Sequence, residues 1–184
     1  SNVIAHIRKA TQGVVSLQNR HPYVRELWGR YWVFAHNGDL KDFQPHLHRS
    51  FQPVGDTDSE RAFCWIMQEI SKSHAQLPSV AELTLTLREL TARIARHGTF
   101  NFLLSNGLAL WAHASTDLHY IQRRHPFAAA HLADEDLSVD FARETQATDQ
   151  VVVIVTAPLT RDECWQAFAR HELKVFVDGS ALTL

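Results

Sequence analysis

The chain has 184 residues, 45% of them hydrophobic and 21% charged, with 18 Lys and Arg against 20 Asp and Glu and a formal net charge of −2. A compact chain of this length buries about 70% of its unfolded surface, enough for a core, and its charge balance argues against wholesale disorder, a basic nucleic-acid groove or an anionic membrane surface as the main partner. Two cysteines, Cys64 and Cys164, make neither a disulfide framework nor a cysteine-rich zinc site; no apolar run approaches the roughly 18 residues of a membrane span, and no signal peptide opens the sequence, so the expectation is one cytoplasmic domain.

Residues 3–7 read as a short strand. Residues 11–30, punctuated by His21-Pro22 and Trp28-Gly29, read as loop. The aromatic run 31–35 reads as a buried strand that stops at His36-Asn37-Gly38. A polar stretch containing Pro45 and Pro53 leads to Gly55, and Thr57-Asp58-Ser59-Glu60 then opens a helix through Ile70. A second helix is predicted over 80–97, because Val80, Leu83, Leu87, Leu90 and Ile94 recur on one helical face. Gly98 suits the position after its end. Strands follow over 99–105, 108–114 and 119–123, with Asn106-Gly107 as a tight hairpin turn between the first two. Further strands cover 151–156 and 174–177. Strands, two helices and then mainly strands predict an α+β fold with antiparallel sheet packed on helices.

Three blocks end these elements: His6-Ile7-Arg8-Lys9-Ala10-Thr11, His36-Asn37-Gly38 and Asp58-Ser59-Glu60. Each has an ordinary explanation. Arg8 alone reads as a surface charge, and Asn37-Gly38 alone reads as a turn. Thr57-x-x-Glu60 is a capping box, leaving Asp58 free in the first helical turn. Together they compose a different picture. A guanidinium forks onto a carboxylate. An Asn amide beside a Gly N–H supplies the two donors of an oxyanion hole, and Gly allows close approach to the backbone. One pocket could then hold an α-amino acid, its carboxylate on Arg8, its ammonium on Asp58 and its side-chain acyl carbon at Asn37 and Gly38.

The ordered blocks His6-x-Arg8-x-Ala10-Thr11, His36-Asn37-Gly38 and Asp58-Ser59-Glu60, with His21-Pro22 between the first two, resemble the class II glutamine amidotransferases of the N-terminal-nucleophile hydrolase fold. Residues 25–30 and 57–65 look like the small stand-alone YafJ-like branch. The resemblance implies an α/β/β/α sandwich of antiparallel sheets. It also implies Asn37 and Gly38 as the oxyanion hole, Arg8, Thr11, His36 and Asp58 as substrate-binding residues, and no cofactor or metal. The implied reaction is attack on the γ-glutamyl amide of glutamine or a γ-glutamyl compound through a cysteinyl thioester. The partner is a small-molecule substrate, together with a possible acceptor subunit.

The family's nucleophile is an N-terminal cysteine upstream of the first block, and no such residue precedes Arg8 here. Cys64 falls inside the first helix and reads as a small buried apolar residue; Cys164 has no motif around it. N-terminal Ser can serve in this fold class, but Ser1 shares the strand that bears Arg8. The expectation is a single domain over 1–184 lacking its N-terminal segment, with an unpaired sheet edge. The alternatives are an amino-acid-binding module without catalysis and a purely structural domain. His46-x-His48 lacks a third ligand of motif spacing, and Arg123-Arg124-His125 reads as a solvated face.

Overall fold

The computed structural model describes residues 2–6, 16–48, 50–134, 137–141 and 145–184. In chain order the elements are β1 (Tyr23–Leu27), β2 (Arg30–Leu40), α1 (Asp58–Ser73), α2 (Val80–Ile94), β3 (Gly98–Ser105), β4 (Leu110–Ala114), β5 (His119–Arg124), β6 (Ala129–His131), β7 (Ser138–Asp140), β8 (Gln150–Val155), β9 (Gln166–Ala167), β10 (Glu172–Val177) and β11 (Ser180–Leu182). The main sheet has six strands in the order β1-β2-β3-β4-β10-β11, a second sheet has the order β8-β5-β9, and β6 and β7 form a separate ribbon. The pairings within these sheets are antiparallel. The α+β class expected from the sequence is observed.

Strand alternation sorts the side chains of the main sheet onto two faces. Trp32 and Phe34 of β2, Phe100, Phe102 and Leu104 of β3, Trp111 of β4 and Val175 of β10 join Phe63, Ile66, Met67, Leu83, Leu87 and Ile94 of the helices in one core. Phe34 stacks on Phe63 with ring centres 5.0 Å apart. The opposite face supplies Leu110, Ala112, Ala114 and Phe176 to a second core with Tyr120, Phe168, Val152 and Ile154. The order of layers is therefore helix pair, six-stranded sheet, three-stranded sheet. Among the described residues no helix is long and apolar enough to cross a membrane.

Several boundaries differ from the sequence expectation. Residues 2–6 form no strand, and Ile7 lies outside the described residues. Part of the predicted loop over 11–30 is β1, joined to β2 by a two-residue turn with positive φ at both Trp28 (57°) and Gly29 (72°). Such a turn matches the twist of a hairpin, but Trp is not a turn-forming residue, so the sequence conceals it. β2 does not stop at His36: it pairs with β3 from Val33↔Ser105 through Leu40↔Gly98. The β3–β4 loop has four residues, since Ser105 pairs with Leu110. Asn106 Oδ1 closes it by accepting from the N–H groups of Leu108 and Ala109, each at 3.1 Å. Helix α2 ends at Ile94 and tightens into a 3₁₀ turn, Ala95–His97.

Candidate active site

His36, Asn37 and Gly38 lie in the far half of β2, where β1 no longer covers its outer edge: the β1 pairing ends at Tyr23↔Phe34. The turn interpretation of Asn37-Gly38 is replaced by a strand paired with Asn101 and Phe100. The direction of the N–H groups follows from two bonds. Lys41 N–H donates toward the β3 side, to the His97 carbonyl just before that strand, at 2.8 Å, whereas Leu40 N–H donates to Asp58 Oδ2 at 2.8 Å on the other side. Antiparallel strands alternate in this direction residue by residue, so Gly38 N–H points away from β3, to the side on which Asp58 sits. Asn37 is exposed and projects from the face opposite His36. An exposed amide and an edge-facing backbone N–H thus stand on adjacent residues, the N–H on the side of the α1 N-terminus.

Gly38 is required for packing. A Cβ there would run into the Thr99 carbonyl oxygen and lie 2.6 Å from His36 Nε2. His36 itself is 2% exposed. Its Nε2 is 3.0 Å from the Thr99 carbonyl and its Nδ1 is 2.8 Å from Ser59 Oγ. A carbonyl only accepts, so Nε2 carries the hydrogen and Nδ1 accepts from the Ser59 hydroxyl. Burial holds the His36 pKa below its ordinary value, opposed by the Thr99 bond and the nearby Asp58 carboxylate, with His6 adding to the depression.

Helix α1 begins at Thr57, whose hydroxyl accepts from Glu60 N–H at 3.1 Å. The other half of the expected capping box is used elsewhere. Glu60, 1% exposed, pairs with Arg25 of β1 and accepts from Val54 N–H at 3.0 Å and Gly55 N–H at 2.7 Å. The complete capping box belongs to α2, between Ser79 and Glu82. Asp58 is half-buried. Its Oδ1 accepts from Ser59 N–H at 2.8 Å and its Oδ2 from Leu40 N–H at 2.8 Å, so one carboxylate ties the helix start to the end of β2. Each oxygen keeps a second lone pair.

The first block reaches the same corner through His6. The His6 ring lies 4.4 Å from His21, and His21 lies 4.7 Å from Tyr23, whose hydroxyl is 2.7 Å from Thr57 Oγ1. Arg8 and Thr11 lie outside the described residues. Ser59, Tyr23 and Arg25 were not singled out from the sequence. Ser59 had a signal, its place inside the Asp-Ser-Glu block; the Arg25–Glu60 pair had none. Among the described residues no group of three or more His, Cys, Asp or Glu could hold a metal ion.

The sequence profile of the glutamine amidotransferases class II matches residues 1–184. The chain belongs to this family. Two relatives carry glutamine amidotransferase in their names. One, from Haemophilus influenzae, is 45% identical over 98% of this chain and 62% of its own length. YafJ of Escherichia coli is 43% identical over 97% of this chain and 70% of its own. A crystal structure from Pseudomonas aeruginosa, described as a predicted glutamine amidotransferase, superposes with a TM-score of 0.82 at 43% identity, covering 91% of this chain and 66% of that one. A class II domain protein from Silicibacter pomeroyi shares the fold, with a TM-score of 0.53 at 19% identity over 91% of this chain and 70% of its own. The chain thus spans roughly two thirds of the length of the proteins it resembles.

Proposed function

We propose that this chain binds an α-amino acid with an amide side chain, glutamine or a γ-glutamyl compound, and stabilises the oxyanion formed when a thiolate attacks that amide. The observation carrying this is the stretch of β2 beyond its pairing with β1, where Gly38 N–H faces the Asp58 side beside the exposed Asn37 amide. Two neutral donors at one carbonyl oxygen are what a tetrahedral intermediate needs. Asp58 takes the substrate ammonium with its spare lone pairs, and Arg8 and Thr11 take the carboxylate. His36, with both ring nitrogens engaged, serves as a positioning residue that fixes β2 against α1.

In this reaction the thiolate sulfur bonds to the side-chain carbonyl carbon and the C=O electron pair moves to oxygen. The intermediate collapses with loss of the protonated amine, as ammonia from glutamine or as the free amine from a γ-glutamyl compound. Water then attacks the thioester, restoring the thiol and releasing glutamate. Neither cysteine of these 184 residues suits the first step. Cys64 is 0% exposed within α1, and burial raises its thiol pKa against the opposing influence of Arg25, so it is a poor nucleophile. Cys164 is exposed, in the segment before β9. The thiol comes from outside these residues, and the 184 residues by themselves bind the amino acid without turning it over. The acceptor of the ammonia is solvent or a partner subunit.

The test is release of ammonia from glutamine, and of glutamate from γ-glutamyl peptides, by the full gene product, beside calorimetric binding of glutamine to the 184 residues. Turnover by the full product with binding alone in the 184 residues is expected. Turnover by the 184 residues, abolished by blocking Cys64, would overturn the assignment of the nucleophile; no glutamine binding by either protein would overturn the substrate.

A further inference from the structure

A cavity of about 350 Å³ opens between the C-terminal half of α2 and the β4–β10 pair, away from the β2 edge. Its lining includes Arg88, Thr91 and Arg96 from α2 and the turn after it, His113 from β4, and His171 and Leu173 around the start of β10. Among the described residues no carboxylate lines it. Arg88 and Arg96 are exposed, and neither has an ion-pair partner among the described residues. Thr91, 3% exposed, has a buried hydroxyl with no hydrogen-bond partner. Such a group costs free energy unless something satisfies it.

His113 is the second buried polar group at this cavity, 2% exposed. Its Nδ1 is 2.5 Å from the Phe100 carbonyl and therefore carries the hydrogen, which leaves Nε2 as a bare acceptor. Burial pushes its pKa down to about 4, with His171 adding to the depression, so it brings no charge at neutral pH. His171, its ring 6.3 Å away, is held with φ at 62°, an uncommon backbone conformation for a residue other than glycine. Two guanidinium groups without an ion-pair partner among the described residues thus line the cavity together with uncharged polar groups.

The geometry points to this cavity as a binding site for a small oxyanion that also carries a hydrogen-bond donor, held at its negative group by Arg88 and Arg96 and at its donor by His113 Nε2. Guanidinium forks suit phosphate and carboxylate alike, and the volume suits a small metabolite. Monohydrogen phosphate itself meets the description, because its P–OH donates while its other oxygens accept. The site is separate from the amidotransferase machinery and does not depend on the reading of that site.

The test is calorimetric titration of the protein with inorganic phosphate and, in a second arm, with malate, whose hydroxyl is the donor, accompanied by ¹⁵N spectra of the histidine rings. Saturable binding of at least one probe is expected, with the His113 Nε2 resonance shifting on addition. Phosphate binding alone identifies a phosphate group as the ligand's head, and malate binding alone a carboxylate. The double variant R88A/R96A, altered only at exposed positions, should weaken binding by about tenfold or more. Asn37→Ala should bind as tightly as wild type. Absence of saturable binding in both arms, or equal binding by R88A/R96A, would overturn the proposal.

Discussion

Adjacent residues of β2 carry different loads, and substitution separates them. Asn37 is exposed and its side chain supports no packing, so Asn37→Ala should leave the melting temperature near wild type. In the active full-length product its loss should lower kcat about 10²–10³-fold, with KM little changed, the usual effect of removing one oxyanion donor. Glutamine turnover kinetics beside a thermal melt check both parts, and undiminished kcat removes Asn37 from the site. Gly38→Ala should instead lower the melting temperature, because its Cβ meets the Thr99 carbonyl and His36. Asp58 combines both roles. Asp58→Asn keeps one acceptor for the Leu40 and Ser59 N–H groups, and Asp58→Ala keeps none. Ala should destabilise more than Asn, while KM for glutamine rises steeply in both because each removes the charge. An unchanged KM in Asp58→Asn would leave this carboxylate a purely structural tie.

At the level of elements, the start of α1 shows how one motif supports two different structures. Thr57 caps the helix and Glu60 anchors the loop before it together with Arg25 of β1. A lost cap costs about 1 kcal/mol, whereas breaking a buried ion pair costs roughly 3–5 kcal/mol. Urea unfolding of Thr57→Ala and Glu60→Ala should therefore show the larger loss for Glu60, and equal losses would restore the plain capping box. The same place marks the limit of sequence reading. His36-Asn37-Gly38 and Asp58-Ser59-Glu60 were legible because each is contiguous and ends or opens an element. The Arg25–Glu60 pair, the His36–Ser59 bond and the His6–His21 contact join residues far apart in sequence, and no local pattern encodes them. Helices α1 and α2 were legible from spacing and caps. Strand β1 was not, because its turn uses Trp28, and β9 and β11, of two and three residues, are too short to show alternation.

Across the whole molecule, the helix layer closes over one face of the main sheet and buries two imidazoles there, His36 on β2 and His113 on β4. Their common environment makes folding sensitive to mild acid. Burial lowers both pKa values, that of His113 to about 4, while an unfolded histidine titrates near 6.5. Between those two values the unfolded chain binds protons that the native chain refuses, so stability rises with pH in that interval. The contribution of His113 is fully present above about pH 6.5 and is lost progressively as pH falls to about 4, amounting to about 3 kcal/mol. The carboxylates act in a lower window. Glu163, whose pKa is lowered by its bonds to Arg123 and Thr160 against the opposing effect of burial, loses its contribution only as pH falls below the ordinary Glu range. Urea unfolding at intervals from pH 7.5 to 4 should show the wild type losing stability from about pH 6.5 downward. His113→Gln removes one of the two titrating rings, so its pH profile should be shallower in that interval whatever its stability at neutral pH. A wild-type profile that stays flat down to about pH 4.5 and drops only below it would assign acid sensitivity to the carboxylates alone and show that the buried imidazoles are protonated in the folded protein.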